Sequence, residues 1–450
     1  MKLIQKARAS VLLLAVVMLI TGCTGGKLQS QLSENAGGTA DQQQDNLAGS
    51  EDGSAGEEAG QDAANDGAGD SSAAEGTEGA GQEDPSDGAA QTKEDVPVKA
   101  KALYLTGWTV GSSSKVEHYV EVANTTEINA YVVDIKDDDG FVGYESQVPE
   151  VQANGTWKKK YNPDNVLKAF HDNDIYVIGR LVVYKDPVYS LKRPDLAIKN
   201  INGGLWKDRN KLTWLNPYNK ENWDYTISIA KEAVEKGFDE IQFDYVRFPS
   251  DGKPKEMDFT GIEQERYEAI CEFLAYAKEQ MPGVPISADV FGIIFESPKD
   301  TERIGQYLEF VGKDIDYISP MVYPSHYAYG QIVNKVKFDI PDHEPYGVVY
   351  NTLAKGKSRI EQAGEYKAKV RPYLQDFTAS WLKVNGKKMY QEYGAEQVRQ
   401  QIQAVYDAGY EEWILWDASN TYHEEALLKE GEAQETGAAD TANGGQDTTE

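Results

Sequence analysis

Residues 221–245 read ENWDYTISIAKEAVEKGFDEIQFDY, and this stretch contains one complete unit of the fold. The spacing of its apolar residues predicts a helix over Glu221–Lys236, with Gly237 as the stop signal. After a short connection, an apolar run predicts a buried strand over Glu240–Tyr245. A helix that leads by a short turn into a buried strand is typical of proteins built from consecutive βα units.

The same alternation continues through the chain from Lys101. We predict eight strands, at Leu103–Gly107, Ala130–Ile135, Ile175–Val183, Glu240–Tyr245, Pro285–Val290, Ile315–Met321, Val370–Gln375 and Glu412–Trp416. Helices are predicted at Val166–Asp172, Glu221–Lys236, Gly261–Gln280, Thr301–Val311, Pro345–Gln362 and Ala395–Ala408. Connections into the strands are short, whereas several connections out of them are long. The pattern therefore predicts an α/β fold, a (β/α)8 TIM barrel with long βα loops and its active site at the carboxyl ends of the strands. An open doubly wound sheet is the alternative, although no glycine-rich phosphate turn follows the first strand.

Residues 1–23 have the features of a secretory signal. A basic start precedes an apolar run that is too short for a stable membrane span, and the run ends at Cys23. This end resembles the bacterial lipobox, in which the cysteine becomes the lipidated first residue of the mature chain. We therefore expect a lipid anchor at Cys23 on the extracellular face of the bacterial cell membrane.

The flanks of the predicted barrel are acidic and poor in apolar residues. Residues 24–95 contain 17 acidic residues, two lysines and no aromatic residue, so they are predicted to form a disordered linker. Residues 429–450 are predicted to be a disordered acidic tail, which leaves residues 96–428 for the barrel. The net charge of the whole chain is −29, and the predicted barrel is itself acidic. This charge argues against nucleic acid as a partner, because phosphate binding needs a basic face.

Two aspartates are the candidate catalytic pair. Side chains alternate along a barrel strand, so Gln242 and Asp244 are predicted to point inward, and Asp289 tops the neighbouring strand. Carboxylates on adjacent strand tips fall within the separation that glycoside hydrolysis needs, roughly 5–9.5 Å. We assign Asp244 as the nucleophile, held ionised by a charge-assisted hydrogen bond from Arg247, and Asp289 as the acid. For any single aspartate, a helix cap or an ion pair is the alternative role.

Other polar and aromatic residues are predicted to line the same face and to bind substrate. They are Asp134, Gln242, Arg247, Tyr323, Gln375, Trp416 and Asp417. Aromatic rings stack on the apolar face of sugar rings, and we predict that Trp416 and Tyr323 do so. Anchoring of the long loops is the alternative role for such aromatics.

The sequence lacks the residue patterns that several other kinds of site require. The chain has five histidines and two cysteines, without the spacing of a zinc site, and no Gly-x-Ser-x-Gly elbow. The run Asp137-Asp138-Asp139-Gly140 resembles a calcium loop, but Ile135 stands where the first aspartate ligand belongs, so a solvated turn is expected. We predict no cofactor and no metal.

Seven segments together resemble a known family. They are Leu103–Trp108, Val132–Gly140, Glu240–Pro249 (EIQFDYVRFP), Ser287–Gly292 (SADVFG), Ser319–Pro324 (SPMVYP), Arg371–Phe377 (RPYLQDF) and Trp413–Asn420. These segments resemble the bacterial putative glycosyl hydrolase domain family, which is similar to α-amylase-type TIM-barrel glycosidases. The resemblance implies a nucleophile at Asp244, an acid/base at Asp289 and a stabilising carboxylate at Asp376. This chain has Asp at the fifth strand, where those glycosidases have Glu.

Family 18 chitinases are similar in the fourth strand and in Met321 and Tyr323 of the sixth. Their catalytic acid, however, corresponds to Val246 in this chain. Substrate-assisted cleavage of chitin is therefore not expected.

Two functions are consistent with these residues. The first is a glycoside hydrolase that cleaves an extracellular or cell-wall polysaccharide with two carboxyl groups, acting as a monomer. The alternative is a noncatalytic carbohydrate-binding surface lipoprotein on the same scaffold, because fold alone does not decide function.

Overall fold

The computed structural model describes residues 98–429, where eight parallel strands form a closed barrel. The strands are β1 (Lys101–Leu105), β2 (Ala130–Lys136), β3 (Tyr176–Val182), β4 (Glu240–Asp244), β5 (Ile286–Phe291), β6 (Tyr317–Met321), β7 (Lys369–Val370 and Tyr373–Gln375) and β8 (Trp413–Trp416). Each strand pairs with its neighbours in chain order, and β8 closes the ring by pairing with β1, where Leu103 lies beside Leu415. The predicted TIM barrel is confirmed.

Helices lie between the strands. They are α1 (Gly107–Val110), α2 (Ser113–Thr125), α3 (Pro149–Asn154), α4 (Pro163–His171), α5 (Tyr189–Lys192), α6 (Lys220–Lys236), α7 (Arg266–Gln280), α8 (Leu308–Val311), α9 (Pro345–Ala363) and α10 (Ala395–Asp407). Two-stranded ribbons join 199–200 to 257–258, 331–333 to 336–338, and 383–384 to 387–388. Short 3-10 turns occur at 254–256, 292–295, 324–326, 341–343 and 424–426. Within residues 98–429, no helix is long and apolar enough to cross a membrane.

The unit around β4 shows how the sequence fixes these elements. The side chain of Asn219 caps α6 by accepting a hydrogen bond from the backbone N–H of Glu221. The helix ends at Gly237, which has a left-handed φ of 108° that glycine adopts without steric cost. The outward side chain of Phe243 on β4 packs against Phe273 of α7, with ring centroids 5.1 Å apart. This contact sets the phase of β4 and turns Gln242 and Asp244 into the barrel.

The interior of the barrel is polar at three levels along β4. At the start of the strand, Glu240 accepts hydrogen bonds from Arg371 and Ser287, both at 2.6 Å. One level higher, Gln242 accepts from the hydroxyl of Tyr373 at 2.6 Å. Asp244 forms the top level at the carboxyl end. Glu240 and Gln242 are thus paired across the barrel, which orders the interior beneath the candidate site.

The helix predicted over Thr301–Val311 is wrong, because only Leu308–Val311 is helical. Arg303 and Gly305 have positive φ angles of 57° and 84°, and the Asp300 side chain accepts from the N–H groups of Ile304 and Gly305. These turns prevent a helix in the first half of the predicted range. The prediction also lacked α2, which lies between β1 and β2.

Three predicted features lie outside the described residues. They are the signal peptide with Cys23, the linker over 24–95, and residues 430–450 of the acidic tail. They stay predictions.

Candidate active site

Asp244 lies at the last position of β4 and is 3% exposed. Its Oδ2 accepts hydrogen bonds from Nε and Nη2 of Arg180, at 2.9 and 2.5 Å. Its Oδ1 accepts from the backbone N–H of the next residue, Tyr245, at 2.5 Å. Tyr245 has a φ of 48°, a left-handed conformation that is strained for a bulky side chain. The chain therefore turns sharply directly after this carboxylate.

Arg180 of β3 joins two carboxylates. Besides Asp244, its guanidinium donates through Nη1 to Oδ1 of Asp134 on β2, at 2.7 Å. The hydroxyl of Tyr104 on β1 donates to the other oxygen of Asp134, also at 2.7 Å. The guanidinium carbon lies 5.4 Å from the ring centroids of both Tyr104 and Trp416, which stack on each other. Five strands thus contribute to one buried network around a single cation.

The predicted partner of Asp244 was Arg247, and that pairing is wrong. Arg247 donates to the carbonyl of Phe248 and lies over the rings of Trp214 and Phe291, 5.2 and 4.5 Å from their centroids. The turn at Tyr245 ends the strand, so alternation no longer places Arg247 beside Asp244.

Asp289 lies on β5 one position beyond the Phe243–Ala288 pair, which brings it next to Asp244 on the neighbouring strand. It is 2% exposed, and its Oδ1 has no hydrogen-bond partner among residues 98–429. Burial and, next, the negative charge of Asp244 raise the pKa of Asp289 well above its ordinary value. Asp289 therefore favours its protonated form.

The backbone around Asp289 is held by Gln306. The Gln306 amide donates to the carbonyl of Asp289 at 3.1 Å and accepts from the N–H of Phe291 at 2.9 Å. Gln306 follows the irregular turn at Gly305, so the break in the predicted helix delivers this side chain to the end of β5.

The two aromatics predicted to bind sugar are both buried. Trp416 is 7% exposed and is stacked on Tyr104, with ring centroids 3.9 Å apart. Tyr323 is 2% exposed, and its hydroxyl lacks a hydrogen-bond partner within the described part of the chain. Burial and the charge of Asp289 raise the pKa of Tyr323 well above its ordinary value. Tyr323 therefore lies near the carboxyl pair, whereas Trp416 supports the network around Arg180.

The remaining predicted site residues have other partners. Gln242 donates to Ser319 at 3.2 Å, and Gln375 donates to Asp342 at 3.1 Å. Asp376 accepts from Nδ1 and the backbone N–H of His423, at 2.5 and 3.1 Å, and burial raises its pKa to about 6. Asp417 accepts from Ser419 and Thr421 in the loop after β8, at 2.5 and 2.8 Å. No hydrogen bond described here joins these four residues to Asp244 or Asp289, and their roles stay predictions.

The acidic run after β2 is paired with lysines. Asp137 contacts Lys160, and Asp138 accepts from Nζ of Lys185 at 3.1 Å. The same ammonium lies 4.8 Å from the ring centroid of Tyr245. Burial and, next, the negative charge of Asp137 raise the pKa of Asp138 to about 7. Asp138 is thus a carboxyl group that titrates near neutral pH at the edge of the candidate site.

We expect Asp138→Asn to change the pH dependence of stability. The pKa of Asp138 is raised from 3.8 to about 7, so the folded state binds its proton more tightly than the unfolded state does. The contribution of this carboxyl group to the free energy of unfolding is fully present below pH 4 and falls as the pH rises towards 7. Relative to the wild type, the Asn variant should therefore gain about 3 kcal/mol of unfolding free energy between pH 4.5 and 8.

Chemical denaturation at both pH values measures this difference. The control is Asp172→Asn, which removes an exposed carboxylate paired with Lys168. Equal pH dependence in the wild type and in Asp138→Asn would contradict the assignment.

The described barrel matches a known protein family. The model of a putative glycosyl hydrolase domain, domain of unknown function 4015, matches residues 102–422. The chain belongs to this family. The match spans the whole barrel from β1 to the loop after β8, so the described part of the protein is a glycosyl hydrolase-type domain.

Several solved structures are similar to this chain, and the first named here shares its fold. The PgaB (BpsB) glycoside hydrolase domain from Bordetella bronchiseptica is 11% identical, covers 73% of this chain and 98% of its own, and has a TM-score of 0.54. A hypothetical protein from Ruminiclostridium thermocellum ATCC 27405 is 66% identical over 42% of this chain and 97% of its own, with a TM-score of 0.40. The spore cortex-lytic enzyme SleL from Bacillus megaterium QM B1551 is 13% identical, covers 72% of each chain and has a TM-score of 0.43. Among curated proteins, none matches.

Proposed function

We propose that the protein is a glycoside hydrolase that cleaves an extracellular or cell-wall polysaccharide, with Asp244 as nucleophile and Asp289 as proton donor. The observation that carries the proposal is the contrast between these two neighbouring carboxyl groups. Asp244 faces a guanidinium at 2.5 and 2.9 Å, whereas Asp289 has an unpartnered buried oxygen and a raised pKa. Two carboxyl groups in contrasting surroundings are what acid and nucleophile roles require.

The reaction would proceed in two steps. Asp289 gives its proton to the glycosidic oxygen while Asp244 attacks the anomeric carbon, so the leaving sugar departs as an alcohol. Asp289, now ionised, then removes a proton from water, and the water displaces Asp244. Adjacent strands lie about 4.8 Å apart. This spacing suits the roughly 5–5.5 Å between the carboxyl groups of retaining enzymes.

Substitution of Asp289 tests the proton-donor role. Asp289→Asn should lower turnover of polysaccharide by about 10²- to 10⁴-fold, because an amide cannot protonate the leaving oxygen. Aryl glycosides with acidic leaving groups should lose much less activity, since they depart without a proton. Reducing-end and aryl-release assays measure the two effects. Equal losses on both substrate types would remove Asp289 from this role.

The burial of both carboxyl groups favours one alternative, a noncatalytic carbohydrate-binding protein. Asp244 and Asp289 are 3% and 2% exposed, so little of either carboxyl group is open to a sugar. On this alternative, the protein would bind glycans and release no product.

We also propose that the barrel is tethered to the extracellular face of the cell membrane through Cys23. The linker of residues 24–95 would act as an extended acidic spacer. Cys23→Ser should move the protein from the membrane fraction to the soluble fraction, as shown by fractionation and immunoblotting. A variant that stays fully membrane-bound would contradict the anchor.

A further inference from the structure

Trp108 differs from the other tryptophans of this protein in its exposure. All eight lie within the described residues, where five are buried and two are half-buried. Trp108 is 55% exposed. An exposed indole presents an apolar ring face to solvent, and a ligand can cover that face.

The backbone under Trp108 is firmly held. Trp108 is the second residue of α1, and the preceding Thr106 accepts a hydrogen bond from the N–H of Thr109 at 3.1 Å. The side chain of Asn420, in the loop after β8, accepts from the N–H of Thr106 at 2.8 Å and from the hydroxyl of Thr109 at 2.6 Å. The exposed indole thus stands on a pinned turn, which limits the entropy lost when a ligand binds.

Trp108 lies on the same face of the barrel as the carboxyl pair. It follows β1, whose Tyr104 donates to Asp134 of the Arg180 network. The ammonium of Lys160 lies 5.6 Å from the Trp108 ring centroid and contacts Asp137 in the loop after β2. The Lys160 side chain is only 3% exposed, so its ammonium packs against the indole and not into solvent. The exposed part of the Trp108 ring can stack on the apolar face of a sugar ring.

We propose that Trp108 forms an outer sugar subsite, where its indole stacks on a pyranose ring of the polysaccharide away from the bond that is cut. This inference rests on the proposed function for its substrate class, but the subsite binds glycan whether or not the barrel cleaves it. Trp108 is therefore a determinant of chain-length preference.

Two readouts separate the subsite from the chemistry. The first is binding of the full chain to insoluble chitin, chitosan, cellulose and peptidoglycan. Trp108→Ala should weaken binding to the preferred polymer by about 5- to 10-fold, and Trp108→Phe should retain most of it. The second is turnover, where Trp108→Ala should raise KM for that polymer by a similar factor and leave kcat/KM for aryl monoglycosides within about twofold.

The matched control is Tyr346→Ala, which removes an exposed aromatic on α9 whose hydroxyl contacts Asp407 of α10. It should bind polymer as the wild type does. Binding lost in Trp108→Ala without any wild-type hydrolysis would refute the proposed function and support the subsite. The subsite is refuted if Trp108→Ala binds polymer as tightly as the wild type, if long and short substrates lose activity equally, or if the wild type binds none of the four polymers.

Discussion

Arg180→Met is expected to lower the free energy of unfolding by about 3–5 kcal/mol and to abolish turnover. The guanidinium is buried and donates to both Asp134 and Asp244. Methionine fills a similar length without charge, so two carboxylates would face each other with no cation between them. Burial makes that repulsion large, because little water screens it.

A second substitution separates this electrostatic cause from lost packing. Arg180→Met/Asp244→Asn should be more stable than Arg180→Met alone, since one of the two repelling charges is gone. The single variant should also gain stability as the pH falls, because protonation neutralises the remaining carboxylates. Urea denaturation gives each value. A loss below about 1 kcal/mol in Arg180→Met would show that the network is not held by this cation.

The sequence was sufficient for the barrel and for the positions of Asp244 and Asp289. The barrel was predicted from its repeated βα units. The positions of the two aspartates were predicted from the alternation of side chains along a strand, which is reliable where a strand is buried on both faces. Phe243 packs outward on Phe273, so Asp244 has to point inward.

The alternation of side chains gave the wrong position for Arg247, which lies beyond the end of the strand. Arg247 is three residues after Asp244, but the positive φ of Tyr245 redirects the chain between them. Tertiary contacts decide which residue at the end of a strand adopts such a conformation. A residue pattern in the sequence does not encode it.

Arg180 was missed although it left a signal. It is the one charged residue in the run IYVIGRLVVY of residues 175–184. A charge inside a strand that is otherwise apolar indicates a buried partner of opposite sign. Arg180 lies beside Gln242 on β4, so its side chain points into the barrel as that of Gln242 does. Its partners lie on β2 and β4, 46 and 64 residues away, so the sequence alone does not name them.

Asp244→Asn should also remove activity, with a loss of at least about 10⁴-fold in kcat. Asparagine has nearly the same shape but cannot form the glycosyl ester, and it leaves Arg180 paired with Asp134. Folding should therefore be retained while the chemistry is lost. Asp139→Asn is the matched control, because it removes an exposed aspartate from the loop after β2.

The most direct measurement of the central claim is release of reducing ends from a panel of polysaccharides by the wild type and by Asp244→Asn. We expect the wild type to release sugar from at least one polymer, Asp139→Asn to match it, and Asp244→Asn to release none above background. Wild-type turnover by Asp244→Asn, or polymer binding by the wild type with no reducing ends released, would contradict the assignment of this barrel as a glycoside hydrolase acting through Asp244.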